Sequence, residues 1–300
     1  MKKQTVTIGI SAYNEEANIK HLLTDLLSQK ISSCILKEII VISDGSSDKT
    51  VSYSKEIHHA KLHVTAGKTR KGKAARINEL FAKATSDFVI LIDADTRIVD
   101  TNFIENMCQK MYHSHADLGS VVPTEATGNS TMEKLLITSM DWKKSLYKKL
   151  KKGRNIYTCY GYARILTKKL YSQLRFTHSV GEDAYSYLYT ISRGMKFTSI
   201  ANTTIYYKLP INLKDHKKQS VRFIHSRKQY ISEFGKQLVE DSYHIPKRIM
   251  VVSLLRYSLK HPSVFAYFAI YLSMKIYASY QPETQTTWDI ATSSKTTYTI

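Results

Sequence analysis

The sequence predicts an α/β fold in which a mostly parallel sheet is flanked by helices and followed by a helical C-terminal extension. Three observations favour this class. Runs of β-branched apolar residues alternate with segments of helical spacing, each run stops at a polar or acidic cluster, and 300 residues suit one sizeable domain plus an appendage. Hydrophobic residues make up 43% of the chain, which supports a packed core and excludes global disorder.

The first predicted elements follow one another closely. Residues 5–10 are mostly β-branched and apolar, which indicates a buried strand. Apolar residues then recur at helical spacing over 14–29, with acidic residues in the opening turn. A second strand, at 38–43, stops at the cluster 44–48, which favours a turn and a helix cap. We expect a helix from there to about His58.

Three more elements complete this part of the chain. They are a short apolar stretch at 62–65, a helix over 74–84 and a strongly apolar strand at 88–92. No glycine-rich dinucleotide fingerprint and no P-loop follows any of the strands, so these two modes of nucleotide binding are excluded.

Polar side chains follow three of the predicted strands where each one ends. Tyr13 and Glu15 come after the first strand, Asp44 after the second, and Asp93 with Asp95 after the most apolar one. Because ligands of such sheets bind beyond the carboxyl ends of the strands, these groups are expected to line one site. The carboxylates of Asp93 and Asp95 suit Mg²⁺ or Mn²⁺ bridging a diphosphate, whereas an isolated Asp-x-Asp is more often an ordinary surface turn.

Cations crowd the segment that precedes the helix predicted at 74–84. The cluster consists of Lys68, Arg70, Lys71, Gly72, Lys73 and Arg76. A glycine beside lysines lets the backbone approach a phosphate closely, and the cations offset its charge. The alternative is a flexible basic loop without a ligand.

Glu182 and Asp183 form a pair of acids in an otherwise basic half of the chain. Such a pair can supply a general base, with one carboxyl group tuning or orienting the other. The alternative role is capping, since acidic residues are common in the first turn of a helix. Further on, Arg222 beside the aromatic Phe223 is suited to clamp a leaving diphosphate, and the alternative there is a solvent-facing basic helix.

The chain carries 44 lysines and arginines against 25 acidic residues, a formal net charge of +19. This excess predicts an anionic partner: nucleic acid, an anionic membrane surface or a phosphorylated substrate. Segment 142–154 has no acidic residue, and Trp142, Leu146 and Leu150 recur along it every four residues. A narrow apolar stripe on so basic a helix favours a membrane surface or a polyanion, and the alternative is a solvated helix covering a groove.

The polar segments together resemble family 2 glycosyltransferases with the GT-A fold, a Rossmann-like architecture. The resemblance covers roughly residues 5–225 and rests on motifs that occur in one order. They are 11–15 (SAYNE), 44–50 (DGSSDKT), 71–78 (KGKAARIN), 93–95 (DAD), 181–183 (GED) and 219–223 (QSVRF). The resemblance implies an inverting, metal-dependent transfer from a nucleotide-diphosphate sugar, expected to be a UDP-sugar, to a hydroxyl or lipid-phosphate acceptor in cell-surface glycan synthesis.

The resemblance also implies a role for each matching residue. Asp183 would be the catalytic base beside Glu182, and Asp95 would ligate Mg²⁺ or Mn²⁺. The donor would be held by Ala12, Tyr13, Glu15, Asp44, Lys73, Asp93, Gln219 and Arg222. Phe223 stands where the family's Gln-x-x-Arg-Trp element has tryptophan, and this departure favours addition of one or a few sugars over processive synthesis.

We divide the chain into a glycosyltransferase domain at 1–235, a helical extension at 236–280 and a flexible tail at 281–300. The apolar run at 263–274 is shorter than the ~20 residues that span a bilayer, and no signal-peptide pattern opens the chain. Three scattered cysteines are typical of a reducing compartment. We therefore expect a cytoplasmic protein on the inner face of the cell membrane, in peripheral contact with anionic lipid. Its expected substrates are a nucleotide-sugar donor and a glycan or lipid-linked acceptor.

Two other functional classes stay open at this level. A sugar nucleotidyltransferase shares a related architecture, but it usually has a glycine-rich basic loop after the first strand, where this chain has SAYNE at 11–15. A non-catalytic polyanion-binding protein would explain the charge but leaves the carboxylates at the strand ends without a task. No RRM, KH or helix-turn-helix signature occurs, so nucleic acid is not an expected partner.

Overall fold

The computed structural model describes residues 3–128, 130–177, 181–279 and 296, apart from the side chains at 218, 221–225, 275 and 278–279. The strands are β1 (Gln4–Ala12), β2 (Cys34–Ser43), β3 (Leu62–Ala66), β4 (Phe88–Asp93), β5 (Thr96–Arg97), β6 (Leu118–Val121), β7 (Thr124–Glu125), β8 (Ala163–Thr167), β9 (Phe197–Ile200) and β10 (Tyr206–Tyr207). The α-helices are α1 (Ile19–Leu27), α2 (Thr50–Lys55), α3 (Lys73–Lys83), α4 (Phe103–Ser114), α5 (Thr131–Lys149), α6 (Lys168–Tyr171), α7 (Glu182–Ser192), α8 (Leu213–Phe234), α9 (Lys236–Tyr243), α10 (Lys247–Ser258) and α11 (Val264–Ser279).

The main sheet has seven strands in the order β3-β2-β1-β4-β8-β6-β9. Strand β8 runs antiparallel to both of its neighbours, and every other neighbouring pair is parallel. Strands β5, β10 and β7 form a second sheet, in which β10 lies in the middle. The predicted mostly parallel sheet flanked by helices is therefore confirmed.

The strands in the middle of the sheet are apolar on both faces because helices cover both of them. Ile8 and Ile90 pack into one core with α1 and α4, whereas Ile40 and Leu91 pack into the other with α3 and α7. Gly9 on β1 allows α3 to lie close to the sheet, since a Cβ at this position would stand 3.0 Å from the side chain of Leu80. The helices that border the site are thus held directly on the strands that carry it.

The elements predicted over the first hundred residues occur in the expected order, with shifted boundaries. The helix predicted over 14–29 begins only at Ile19, because the chain first makes a turn in which the backbone N–H groups of Asn18 and Ile19 both donate to the Glu15 carbonyl. Asn14 enters this turn with a left-handed backbone, at a φ of 52°. The turn keeps the residues after β1 at the edge of the sheet instead of winding them into α1.

Of the basic segment predicted as a helix over 142–154, residues 142–149 form the second half of α5, and Leu150–Gly153 form a short 3-10 helix that follows it. Its apolar stripe is buried within the protein: Trp142, Leu146 and Leu150 are 5%, 1% and 8% exposed. Trp142 and Leu146 pack against α10 and α11, and the Trp142 ring meets that of Phe268 edge-on, with centroids 5.4 Å apart. The interpretation of this stripe as a membrane-binding face is therefore wrong, because the C-terminal helices cover it.

The C-terminal helices differ in how deeply they are packed. Tyr230 on α8 and Val239 on α9 belong to the core beneath the main sheet, whereas α10 has no buried residue. None of the helices in the described ranges combines the length and the apolar character needed to cross a bilayer. The division of the chain at residue 235 stays a prediction, and the tail predicted at 281–300 lies outside the described residues except for Thr296.

Glu105 on α4 ties the segment before β2 to the helix layer. Its carboxylate is buried and accepts hydrogen bonds from the backbone N–H groups of Ser32 and Ser33 at 2.9–3.1 Å. Burial alone would raise the pKa of Glu105, but these N–H groups favour the charged form and lower the pKa to about 2. The ionised side chain therefore stabilises the fold.

Glu105→Gln is expected to lower the free energy of unfolding by about 2 kcal/mol at neutral pH, because the amide accepts fewer and weaker hydrogen bonds. The folded-state pKa lies below the ordinary value of 4.5, so this stabilisation is present above that pH and is lost as the pH falls toward 2. Urea unfolding of both proteins should show a difference that narrows as the pH is lowered from about 6 to about 3. A difference in unfolding free energy that stays constant with pH would contradict the assignment. The control is Glu56→Gln, at an exposed ion pair with Lys20, which should lower the free energy of unfolding by less than about 0.5 kcal/mol.

Candidate active site

Three segments that are far apart in the sequence meet at the carboxyl end of the main sheet. Lys73, the first residue of α3, places its Nζ atom 2.7 Å from the Asp93 carboxylate at the end of β4. The same amine contacts the carboxylate of Glu182, the first residue of α7. We call these three residues the Lys73 cluster. The predicted convergence of the basic loop, the Asp-x-Asp turn and the acidic pair is thus present in the structure.

The electrostatics of the Lys73 cluster are set by burial and by alternating charge. Burial by itself would lower the pKa of Lys73, but the carboxylates of Asp93 and Glu182 raise it, so the amine stays protonated. Burial tends to raise the pKa of Glu182, yet Lys73 and a second cation, Arg164, hold it well below its usual range. Glu182 is therefore a permanently charged, ion-paired group and is poorly suited to accept a proton.

Asp183 lies in the first turn of α7, next to Glu182, and is partly exposed. Its Oδ1 atom accepts the backbone N–H of Ala184 at 2.8 Å. Burial and the charge of Glu182 raise the pKa of Asp183 above its ordinary value of 3.8. A reachable carboxylate of raised basicity suits general-base catalysis. The two acids, which could not be told apart from the sequence, thus differ in what they can do. Asp183 can accept a proton, whereas Glu182 fixes the turn through its ion pair with Lys73.

Two glycines leave room around this turn. A Cβ at Gly161 would lie 3.6 Å from the Asp183 carboxylate, so the glycine keeps that side of the acid open. A Cβ at Gly181 would lie only 2.4 Å from the Tyr230 hydroxyl, which donates a hydrogen bond of 2.6 Å to the Gly181 carbonyl. Helix α8 is thereby anchored directly against the residue that precedes α7.

Asp44 and Arg76 shape the basic loop. The Asp44 carboxylate is buried and accepts the backbone N–H groups of Lys71 and Gly72 at 2.7 and 2.9 Å, as well as Arg76 Nε at 2.8 Å. Gly72 has a φ of 90°, which only glycine adopts without strain. Arg76, grouped by sequence with the phosphate-binding cations, is buried instead in ion pairs with Asp44 and Glu79. It braces the loop, and the exposed cations of the cluster are Lys68, Arg70 and Lys71.

The residues after β1 lie beside this loop. The carbonyl of Ala12 accepts the backbone N–H of Asp44 at 2.7 Å, which joins the ends of β1 and β2. The Arg70 guanidinium lies over the ring of Tyr13, 4.3 Å from its centroid. Glu15 is buried and accepts a hydrogen bond of 3.1 Å from the Asn18 side chain. Ala12 and Tyr13 therefore border the basic loop, while Glu15 contributes to the turn before α1.

Asp95 follows β4 and is partly exposed at the same edge. Within the described part of the chain, no three potential ligands of the His, Cys, Asp or Glu type form a ready-made metal site. Three carboxylates of this edge, those of Asp93, Glu182 and Asp183, lie near the cations Lys73 and Arg164. Burial and neighbouring carboxylates raise the pKa values of Asp93 and Asp183, and Asp95 adds a further carboxylate. Oxygen ligands with a surplus of negative charge fit a divalent cation that completes its coordination with a diphosphate.

Arg164 was not anticipated from the sequence. It lies on β8, is fully buried, and donates from Nη1 to the Glu182 carbonyl at 2.7 Å and to Ser186 Oγ at 2.8 Å. The only signal in the sequence is a lone arginine in the otherwise uncharged run 159–167. Because a buried charge needs partners, such an arginine in a strand indicates nearby carboxylates that the sequence alone does not identify.

Gln219 and Arg222 lie on α8, and Gln219 is partly exposed. The Arg222 side chain is outside the described part of the structure. None of the contacts described for Gln219 joins it to the Lys73 cluster, so the donor role of these two residues stays a prediction.

Comparison with known proteins places the chain in a family. The profile of the family described as "Glycosyl transferase family 2" matches residues 7–175, more than half of the chain. The poly-beta-1,6-N-acetyl-D-glucosamine synthase of Staphylococcus aureus (strain COL) is 34% identical over 125 residues, which are 41% of this chain and 28% of that protein. The synthase of the same name from Staphylococcus epidermidis is 36% identical over 97 residues, 32% of this chain and 23% of that protein. The matched segments thus span less than a third of these relatives.

Solved structures show a similar fold. The mannosyltransferase PcManGT of Pyrobaculum calidifontis, in complex with GDP-Man and Mn²⁺, superimposes with a TM-score of 0.67 at 14% identity, over 93% of this chain and 88% of that one. Glucosyl-3-phosphoglycerate synthase of Mycobacterium tuberculosis, with Mn²⁺, UDP and phosphoglyceric acid, gives a TM-score of 0.57 at 16% identity, over 77% and 79%. At these identities the likeness shows the GT-A fold alone. Since the family profile covers the strands, the basic loop and the Asp-x-Asp turn that build the site, the chain belongs to glycosyl transferase family 2.

Proposed function

We propose that this protein is an inverting glycosyltransferase that moves a sugar from a nucleotide-diphosphate sugar, in the first instance a UDP-sugar, to a hydroxyl or lipid-phosphate acceptor during cell-surface glycan synthesis. The observation that carries the proposal is the Lys73 cluster, which brings the basic loop, the Asp-x-Asp turn and Asp183 to one edge of the sheet. Membership of the family favours this activity over that of a sugar nucleotidyltransferase or a non-catalytic polyanion-binding protein.

In the proposed reaction, Asp183 accepts the proton of the acceptor hydroxyl. The acceptor oxygen forms a bond to the anomeric carbon from the face opposite the nucleotide diphosphate. The bond from that carbon to the diphosphate oxygen breaks, and its electron pair leaves with the diphosphate. The raised pKa of Asp183 makes it a better base than an ordinary carboxylate, and the ion pair of Glu182 with Lys73 keeps the catalytic turn in place.

The donor would lie along the edge formed by the ends of β1, β2 and β4. Ala12, Tyr13, Glu15 and Asp44 are proposed to hold or shape the pocket for the base and ribose. What supports this is the position of Ala12, Tyr13 and Asp44 beside the basic loop, and the part of Glu15 in the turn that follows β1. Lys73 and Asp93 would border the diphosphate and the sugar. Gln219 and Arg222 are proposed to reach the diphosphate from α8, in line with the sequence motif.

Asp95 is the proposed protein ligand of Mg²⁺ or Mn²⁺, with Asp93 next to it and already paired with Lys73. When bound, the ion would neutralise charge that develops on the leaving diphosphate. The fit rests on the surplus of carboxylates over cations at this edge of the sheet.

Peripheral contact with an anionic membrane is proposed for the outer face of α10 and α11. Large apolar side chains are exposed there and on the turn that links the helices: Ile249, Val251, Val252, Leu255, Leu259, Phe265, Tyr271, Leu272 and Ile276. Lys247, Arg248, Arg256 and Lys260 are exposed among them, and residues 245–279 include no acidic residue. Exposed apolar groups edged by cations match the interface of an anionic leaflet, which would face the cytoplasm.

Asp183→Asn is expected to lower kcat by about 10²- to 10⁴-fold, because the amide cannot accept the proton. Wild-type kcat/KM should fall as the pH drops through the raised pKa of Asp183, since only the ionised carboxylate is active. Steady-state rates with UDP-, GDP- and dTDP-sugars between about pH 5 and pH 8 measure both effects. Turnover of the variant within a few-fold of wild type would refute the assignment. Asp117→Asn serves as the matched control, because Asp117 directly precedes β6 and so lies at the end of the sheet away from the site.

Removal of divalent metal with EDTA is expected to reduce turnover at least tenfold, because the leaving group loses one electrostatic contact that stabilises its charge. Added Mn²⁺ or Mg²⁺ should restore it, and Asp95→Asn should raise the metal concentration needed for half-maximal rate. Asp241→Asn, an exposed acid on α9, is the control and should leave that concentration unchanged. Full activity in EDTA would show that the transfer needs no divalent ion.

Leu255→Ser combined with Leu259→Ser is expected to weaken binding to phosphatidylglycerol vesicles at least tenfold, because two exposed apolar side chains are lost from the proposed contact face. Flotation at low and high salt measures the binding, which should also weaken as salt screens the cations. Val99→Ser removes an exposed apolar side chain from another part of the surface and is the control. Absence of wild-type binding at low salt would rule out the proposed contact.

A further inference from the structure

We propose that Arg164 is a positioning residue, which fixes the first turn of α7 and with it the carboxylate of Asp183 for sugar transfer. The proposal rests on the proposed function, because it gives Arg164 a part in the reaction that Asp183 would catalyse.

The contacts of Arg164 all converge on the catalytic turn. Nη1 donates to the Glu182 carbonyl and to the Ser186 hydroxyl, and that hydroxyl donates in turn to the same carbonyl at 2.6 Å. Nη2 lies 3.8 Å from the Glu182 carboxylate, whose other contact is Lys73. The backbone and the side chain of Glu182 are therefore held from two sides, which leaves Asp183 little freedom beyond its own side-chain torsions.

The position of Arg164 in the sheet is unusual for a charged residue. It lies on β8, an interior strand of the sheet, opposite Leu91 on β4 and Ser120 on β6. Because side chains alternate along a strand, Leu166 shares its face, and Leu166 packs fully buried into the apolar core under α7. An apolar side chain would be the ordinary occupant of such a position.

The guanidinium of Arg164 is also incompletely hydrogen-bonded. Nε and Nη2 are buried and have no hydrogen-bond partner in the described part of the chain. A buried donor without a partner destabilises the folded state, and well-packed apolar residues often replace buried charges without loss of stability. Stability alone therefore does not account for an arginine at this site, whereas its contacts with the catalytic turn do.

Arg164 also acts on the charge of the base. The titratable groups that face Asp183 are Lys73, Cys159, Arg164, Glu182, Tyr230 and Tyr243. Burial and the negative charge of Glu182 oppose ionisation of Asp183, and Arg164 is the foremost cation that favours it. Without Arg164, the pKa of Asp183 would rise further and the ionised base would be less populated at neutral pH.

Arg164→Met tests the proposal, because methionine fills much of the same space without charge. We expect a melting temperature equal to or above that of wild type, a kcat at least tenfold lower, and a KM for the donor within about twofold. The acid limb of the kcat/KM profile should move to higher pH. Arg164→Lys, which keeps the charge but not the two-pronged contact, should return the acid limb toward the wild-type pH while kcat stays reduced.

Arg97→Met is the matched control, because Arg97 is a well-partnered guanidinium whose Nε lies 2.8 Å from the Asp25 carboxylate. It should lower the melting temperature and leave the acid limb where it is in wild type. If Arg164→Met melts well below wild type and loses activity only in proportion to unfolded protein, or if kcat and the acid limb are unchanged, the positioning role is overturned. Lack of wild-type turnover with UDP-, GDP- and dTDP-sugars would instead overturn the proposed function, and the role of Arg164 with it.

Discussion

The ammonium group of Lys73, held between the carboxylates of Asp93 and Glu182, is the interaction on which the site depends. It joins the end of β4, the start of α3 and the start of α7, which no backbone hydrogen bond among the described ones connects. Loss of one partner of a fully buried ion pair commonly costs about 3–5 kcal/mol, and the cost here should be smaller because the side chains of Lys73 and Asp93 are 25% and 22% exposed. The geometry of the catalytic turn is thus coupled to folding.

Charged groups in this protein fall into two kinds. Glu105 is buried with enough backbone donors to gain stability from its charge. Asp183 and Arg164 are placed where their charge costs stability, the first by burial beside another acid and the second by unmet hydrogen bonds. Side chains whose placement destabilises the fold are found most often where a function requires a group in a particular state. The distinction separates residues that hold the fold from residues that serve the site.

Much of the sheet and half of the site could be predicted from the sequence, because both follow from local patterns. Apolar runs that end in acids locate β1, β2 and β4, and parallel strands necessarily bring those ends together. Arg164 could not be predicted, since its partners come from a helix 18 and 22 residues further along the chain. The stripe of Trp142 was misassigned because an apolar stripe on a basic helix looks the same whether lipid or another helix covers it.

The covering of α5 by α10 and α11 limits how this enzyme can be divided. Trp142 and Leu146 would lie bare on a basic helix if the last two helices were removed, and exposed aromatic and aliphatic groups of this kind promote self-association. The C-terminal helices α10 and α11 are therefore part of the folded structure, and their role is not limited to localising the protein. Any shortened or recombined version of the chain must supply a substitute for the surface that Val264 and Phe268 provide.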